Sequence, residues 1–202
     1  MADRLRLWWH QWPRALARVL LPSQCALCGG SGAGVVCMPC QAQYLGAGVL
    51  RCPCCANPLP SGSGPDALCG GCLAERPSFD ATIAAADYAL PLDQLVLQLK
   101  FGARLQLAPW FATVLRDAVL ARPGQPLPDV VCPVPLGPRR LVERGFNQSL
   151  EIARPLSRTL GVRLAPRLVD RVLETRAQSG VSPGERKANM RGAFEVTAGV
   201  AG

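Results

Sequence analysis

Apolar and polar positions follow no fixed period through the first third of the chain and settle into helical and strand periods only after Phe79. Ahead of that point, Leu5, Trp8, Trp9, Trp12, Leu16, Val19 and Leu20 fall on one face at helical spacing, which predicts an amphipathic helical leader over 1–22, closed by Pro22. Past Phe79, ATIAAADYAL (81–90) reads as a short strand. Leu92, Leu95, Val96 and Leu99 then mark an amphipathic helix. A second helix is predicted over 105–121, with Trp110, Phe111, Val114, Leu115, Ala118 and Val119 on its buried side. VVCPVP (130–135) is a continuous apolar run, the pattern of a buried parallel strand, and Cys132 in it reads as a small core residue.

After that run comes the polar stretch LGPRRLVERGFNQS, then a helix to about Leu160, with Pro155 at a kink or in an early turn and Gly161 as its left-handed cap. VRLAP and LVDRVL supply a short strand and a connecting segment. Ser182, Pro183 and Glu185 have the order of a capping box; Gly192 ends the turns that follow, and AFEV is a further strand. Strand–helix alternation of this kind predicts an α/β domain with a mostly parallel sheet.

The aperiodic segment is where the cysteines are. Nine of ten lie between Cys25 and Cys72. Eight of them form Cys-x-x-Cys knuckles: Cys25/Cys28, Cys37/Cys40, Cys52/Cys55 and Cys69/Cys72. Each knuckle puts two thiolates on one turn, and two knuckles complete a tetrahedral zinc site. The expectation is a double zinc ribbon over 23–77 holding two structural Zn²⁺, with sequential pairing chosen because it closes the shorter loops. Spacing alone also admits interleaved pairing, and Cys54 is either a spare thiol or a substitute for Cys52. A segment so rich in cysteine, glycine and proline, with little periodicity, cannot bury a core and needs a metal to fold.

Composition sets the remaining bounds. The leader is broken by Arg4, Arg6, Arg14, Arg18 and Pro13, so it lacks a signal-peptide core, and no run approaches the roughly 20 apolar residues that span a bilayer. Its apolar face is expected to pack on the zinc module or to touch a membrane surface. Spaced thiol pairs imply a reducing compartment, and the cytoplasm is the expected location. The formal charge of +8 falls to near +4 once eight thiolates and two Zn²⁺ are counted, which favours phosphates without arguing for nucleic acid alone. His10, the sole histidine, reads as a surface residue.

Positive charge gathers in 139–191. Arg139, Arg140 and Arg144 follow the VVCPVP strand directly, and Gly145-Phe146-Asn147-Gln148 opens the next helix. Ligands bind at the carboxyl ends of parallel strands, and a helix N-terminus there attracts anions. Arginine adds bidentate contacts, so a phosphate or pyrophosphate ligand is expected.

LKFGAR (99–104), DVVCPVPL (129–136), RRLVERGFNQSLEIA (139–153) and LVDRVLETRAQSGVSPGERKANMRGAFEV (168–196), together with the knuckles, resemble the ComF/GntX family. The pattern Arg171, Thr175, Gln178, Glu185, Arg186 and Asn189 carries much of the likeness. The resemblance implies a double zinc ribbon joined to a type I phosphoribosyltransferase-like domain over 78–202, and an association with DNA uptake in natural transformation. It also implies a phosphoribosyl pyrophosphate-type ligand held by Lys100, Arg140, Arg144, Asn147, Gln148 and Arg186. Family members carry a V-D-D-V-x-T-T-G segment after the AFEV strand, which cradles the ribose phosphate and, with that ligand, Mg²⁺. These 202 residues hold no such segment, so an incomplete sheet and a chain inactive as a transferase are expected. The alternative is a non-enzymatic adaptor that binds single-stranded DNA or a helicase partner, with Trp8, Trp9 and Trp12 available for base stacking.

Overall fold

The computed structural model describes residues 23–197 apart from 33, 46–47, 123, 125, 176–179 and 181. The predicted leader, with His10 and its three tryptophans, lies outside the described residues, as does Gln178. The chain divides into two compact units, 1–96 and 97–202.

The first unit begins with a two-residue antiparallel pair, β1 (Ser23–Gln24) with β2 (Ser31–Gly32), followed by helix α1 (Met38–Leu45). Helix α2 (Gly70–Ala74) comes later. Between them Arg51 and Pro58 form a single antiparallel bridge. Buried apolar positions between 25 and 72 are Cys25, Val36, Cys40, Cys52, Cys54, Ala56 and Cys72, mostly thiols. The segment 81–90 forms no strand: its residues through Ala86 are half-buried and join no ladder among the described residues, and an isolated extended run does not persist. Arg51 instead reaches this segment, pairing with Asp87 at 2.7 Å.

Helix α3 (Leu92–Phe101) bears out the expected periodicity, burying Leu92, Leu95 and Leu99. In the second unit, α4 (Leu107–Leu120) packs against α6 (Gln148–Leu160). The buried residues of this pair are Leu107, Ala108, Ala112, Ala153 and Ser157, mostly small, which lets two helices approach closely. Ser157 satisfies its buried hydroxyl by donating to the Val162 carbonyl at 2.6 Å. Pro155 sits in mid-helix, not in an early turn, and α6 continues through it to the left-handed Gly161.

The anticipated apolar strand contracts to β3 (Val130–Val131), paired in parallel with β4 (Arg163–Leu164). Cys132, just beyond it, is half-buried rather than a core residue. The crossover between the two strands runs through α5 (Pro138–Arg144) and α6. A second pair, β5 (Val169–Arg171) with β6 (Phe194–Val196), is antiparallel, where the sequence pattern suggested a continued parallel sheet. Short helix α7 (Arg186–Met190) precedes β6. Ser182 does not cap it in the expected reciprocal way: its hydroxyl donates to the Glu185 carboxylate at 2.5 Å, side chain to side chain.

Candidate functional site

Local backbone geometry brings the eight knuckle cysteines together. In the first knuckle the Gly29 N–H donates to the Cys25 carbonyl at 2.9 Å, and Gly29 takes φ of 71°. The third knuckle repeats this with Ala56, whose N–H donates to the Cys52 carbonyl at 2.8 Å with φ of 59°. Glycine adopts that conformation freely, whereas alanine is strained in it. The second and fourth knuckles instead open helices: Gln41 N–H donates to Cys37 and Leu73 N–H to Cys69. One plan, a turn knuckle facing a helix knuckle, is therefore used twice.

The resulting groups are Cys25, Cys28, Cys37 and Cys40, and Cys52, Cys55, Cys69 and Cys72, with all ligand atoms of each group within 4.8 Å of one another. Pairing is thus sequential, and Cys54 stands outside the second group, its thiol donating to the Phe79 carbonyl at 3.9 Å. A tetrahedral thiolate site with metal–sulfur bonds of about 2.3 Å needs sulfurs about 3.8 Å apart. Cys28 and Cys37 stand at 3.8 Å and Cys55 and Cys69 at 3.4 Å, so the donor set fits a zinc-sized dication. N–H donors already face the sulfurs, with Leu27 and Cys37 both 3.4 Å from the Cys25 Sγ.

Those donors acidify Cys25 in the first group and both Cys52 and Cys69 in the second, Cys69 chiefly through the Cys72 N–H. Burial opposes the Cys25 thiolate, but the N–H groups of Cys28, Cys37 and Leu27 outweigh it and bring the thiol down to about 6. Cys52 is lowered to about 6 by the N–H groups of Cys55 and Cys69. The partners move the other way. Cys40 is pushed up to about 12 by its bond with Cys37 and then by burial, and burial first, then its neighbouring thiols, raises Cys72. Four sulfurs at this range cannot all ionise unless a cation lies among them.

The basic motif builds a second site within the 97–202 unit. Gly145, at φ of 78°, closes α5 by donating to the Leu141 carbonyl at 2.8 Å, which allows the chain to reverse into α6. Asn147 caps α6: its Oδ1 accepts from Ser149 N–H at 2.9 Å, and its Nδ2 donates to the Val134 carbonyl at 3.0 Å. Asn147 thus ties the segment after β3 to the helix start. Arg144 donates to the Gln148 Oε1 and lies 5.2 Å from the Phe101 ring centroid. Arg140 donates to the Thr175 carbonyl at 3.4 Å.

Arg144 lies within charge–charge range of both Lys100 and Arg140. Burial and then the Arg144 charge hold the Lys100 ammonium below its usual range; burial and then Arg140 lower Arg144. None of the three forms an ion pair among the described residues. The structure therefore brings together Lys100, Arg140, Arg144 and Gln148, with Asn147 beside them as a cap. Arg186 is exposed at the start of α7, on a different element. Two residues in this region escaped the sequence reading. Phe101 is one, and Glu174 is the other: its carboxylate accepts from the Arg139 N–H at 3.3 Å. It lies over Gly137, where a Cβ would be 2.6 Å from its Oε1, so a larger residue there would displace the Glu174 carboxylate.

Two zinc-ribbon-like cysteine groups and a mixed α/β unit with a small parallel pair define the class of protein. The chain is 39% identical over 147 residues to the DNA utilization protein YhgH of Salmonella typhi, covering 71% of this chain and 64% of that protein. It is 40% identical over 137 residues to the protein of that name in Escherichia coli strain K12, covering 66% and 60%. Competence protein F of Haemophilus influenzae is 34% identical over 132 residues, covering 63% and 57%. The chain is homologous to these proteins, which bears out the ComF-type resemblance, and it spans about three fifths of their length. No family model matches the chain, and no solved structure matches it. Among the described residues, no helix is long and apolar enough to cross a membrane.

Proposed function

We propose that this protein acts in DNA uptake, and that its α/β unit binds a phosphate-rich ligand of the phosphoribosyl pyrophosphate type. The names of its relatives support the first half of that reading. The observation that carries the second half is the convergence of Lys100, Arg140 and Arg144 with no carboxylate paired to them among the described residues. Like charges held together and partly out of water favour an anion between them. Gln148 and Asn147 would orient that anion at the start of α6, and Arg186 would add charge from α7. The domain reading is a leader over 1–22, a double zinc ribbon over 23–77 and a phosphoribosyltransferase-like domain over 78–202. Two structural Zn²⁺ would be held by the two cysteine groups, in the reducing cytoplasm. If the site supports transfer, Mg²⁺ would accompany the ligand, and cations placed on the departing pyrophosphate are the main catalytic contribution expected.

Calorimetric titration with inorganic pyrophosphate tests this. Arg144→Ala should weaken binding by about 1.5–3 kcal/mol, the scale of a lost charge-assisted hydrogen bond, with a small change in melting temperature. Unchanged affinity with a large fall in melting temperature would make Arg144 a packing residue and remove the site. The adaptor reading predicts instead that single-stranded DNA binds with steep salt dependence and that pyrophosphate does not compete.

A further inference from the structure

We infer that Phe101 is a base-stacking residue, so that the cationic cluster takes a nucleotide unit, phosphate plus unstacked base, and not a bare pyrophosphate. This rests on the anion-site reading given above and deepens it. Phe101 ends helix α3 and is 73% exposed. An exposed phenylalanine alone means little. Its surroundings set this one apart. One side of the ring carries the Arg144 guanidinium, 5.2 Å from its centroid, and Arg144 is itself held by Gln148. The preceding residue, Lys100, makes no ion pair among the described residues.

The backbone under the ring is fixed as well. Gly102 donates to the Gln98 carbonyl at 2.9 Å, in a turn so tight that a Cβ on Gly102 would be 2.8 Å from that oxygen. Ala103 follows at φ of 48°, and Arg104 donates to the Gln98 side chain at 2.5 Å. A ring on a rigid turn loses little freedom when something covers it. Successive helix positions diverge by about 100°, so Lys100 and Phe101 do not face each other directly. Arg144 bridges them: it lowers the Lys100 ammonium through charge and contacts the Phe101 ring. A phosphate against Lys100 and Arg144 therefore leaves an attached base within reach of Phe101. Stacking on an aromatic ring tolerates any base.

The test titrates the full-length, metal-loaded protein with inorganic pyrophosphate, thymidine diphosphate and a 5′-phosphorylated oligothymidylate. The proposal expects thymidine diphosphate to bind more tightly than pyrophosphate. Phe101→Leu should weaken the base-bearing probes about tenfold and leave pyrophosphate within about twofold, while Phe101→Trp restores or improves them. Tighter binding of the oligothymidylate than of the diphosphate would assign the site to a DNA strand, and the reverse order to a free nucleotide; both outcomes support stacking. Equal loss of all three probes in Phe101→Leu would make the ring a prop for Arg144 and overturn the proposal. Pyrophosphate binding that depends on Lys100 but gains nothing from an attached base would overturn stacking while leaving the anion site standing. Binding of no probe would overturn both.

Discussion

Between residues 25 and 72 the buried apolar positions are chiefly thiols, whereas in 97–202 they are Leu99, Leu107, Ala108, Ala112, Ala153, Val162, Ala165 and Ala193. The first region has little aliphatic surface to remove from water, and its order depends on what the sulfurs bind. The second has a helix pair whose buried small residues allow close packing, together with a hydroxyl satisfied by a backbone carbonyl. Metal binding energy would be folding energy in the one, and burial and packing supply it in the other. Perturbing either region should therefore leave a signature the other lacks.

The largest such signature comes from Cys52→Ser, which removes a fully buried thiol and breaks the second group. Structural zinc in such sites contributes about 10–16 kcal/mol, so hydrogen exchange should show residues 48–77 unprotected while Leu107–Leu120 stays protected. Retention of protection in 48–77 would mean that packing alone holds the ribbon. Next in size, Leu107→Ala should destabilise the helical unit by about 2–5 kcal/mol and leave metal content unchanged, as read by chemical denaturation and elemental analysis. Loss of metal in that variant would erase the contrast between the regions.

Asn147→Ala should cost about 1 kcal/mol through its cap and its bond to Val134, and Asn147→Asp should recover the cap portion. The smallest effect compares the two ribbons with each other. Ala56 occupies the left-handed position that Gly29 fills in the first knuckle. Ala56→Gly should stabilise the second ribbon by about 0.5–1 kcal/mol, and Gly29→Ala should weaken the first by a similar amount, both measured as shifts in the chelator concentration that unfolds each ribbon.

The knuckles were legible in the sequence because their geometry is local: each pair closes within one turn, and short loops dictate which pairs meet. Helices α3, α4 and α6, and the helix-ending glycines Gly161 and Gly192, were legible for the same reason, whereas Gly145, read as opening α6, instead closes α5. Strand pairing was not. ATIAAADYAL has strand-like composition, yet a strand exists only when it joins a ladder, and this segment joins none among the described residues. The antiparallel pairing of AFEV with Val169–Arg171 is likewise a long-range choice that a short apolar run does not encode. Within the cationic site, sequence identified the charges but not the order among them. Asn147 is taken up by capping, and Phe101 lies beside Arg144 only after the chain has folded.

Elemental analysis of protein purified under reducing conditions without chelators tests the contrast most directly. The account predicts close to two zinc ions per chain, falling to one in Cys25→Ser and to one in Cys52→Ser, with exchange protection lost only in the corresponding ribbon. A chain that carries no metal and still protects residues 23–77 would contradict it.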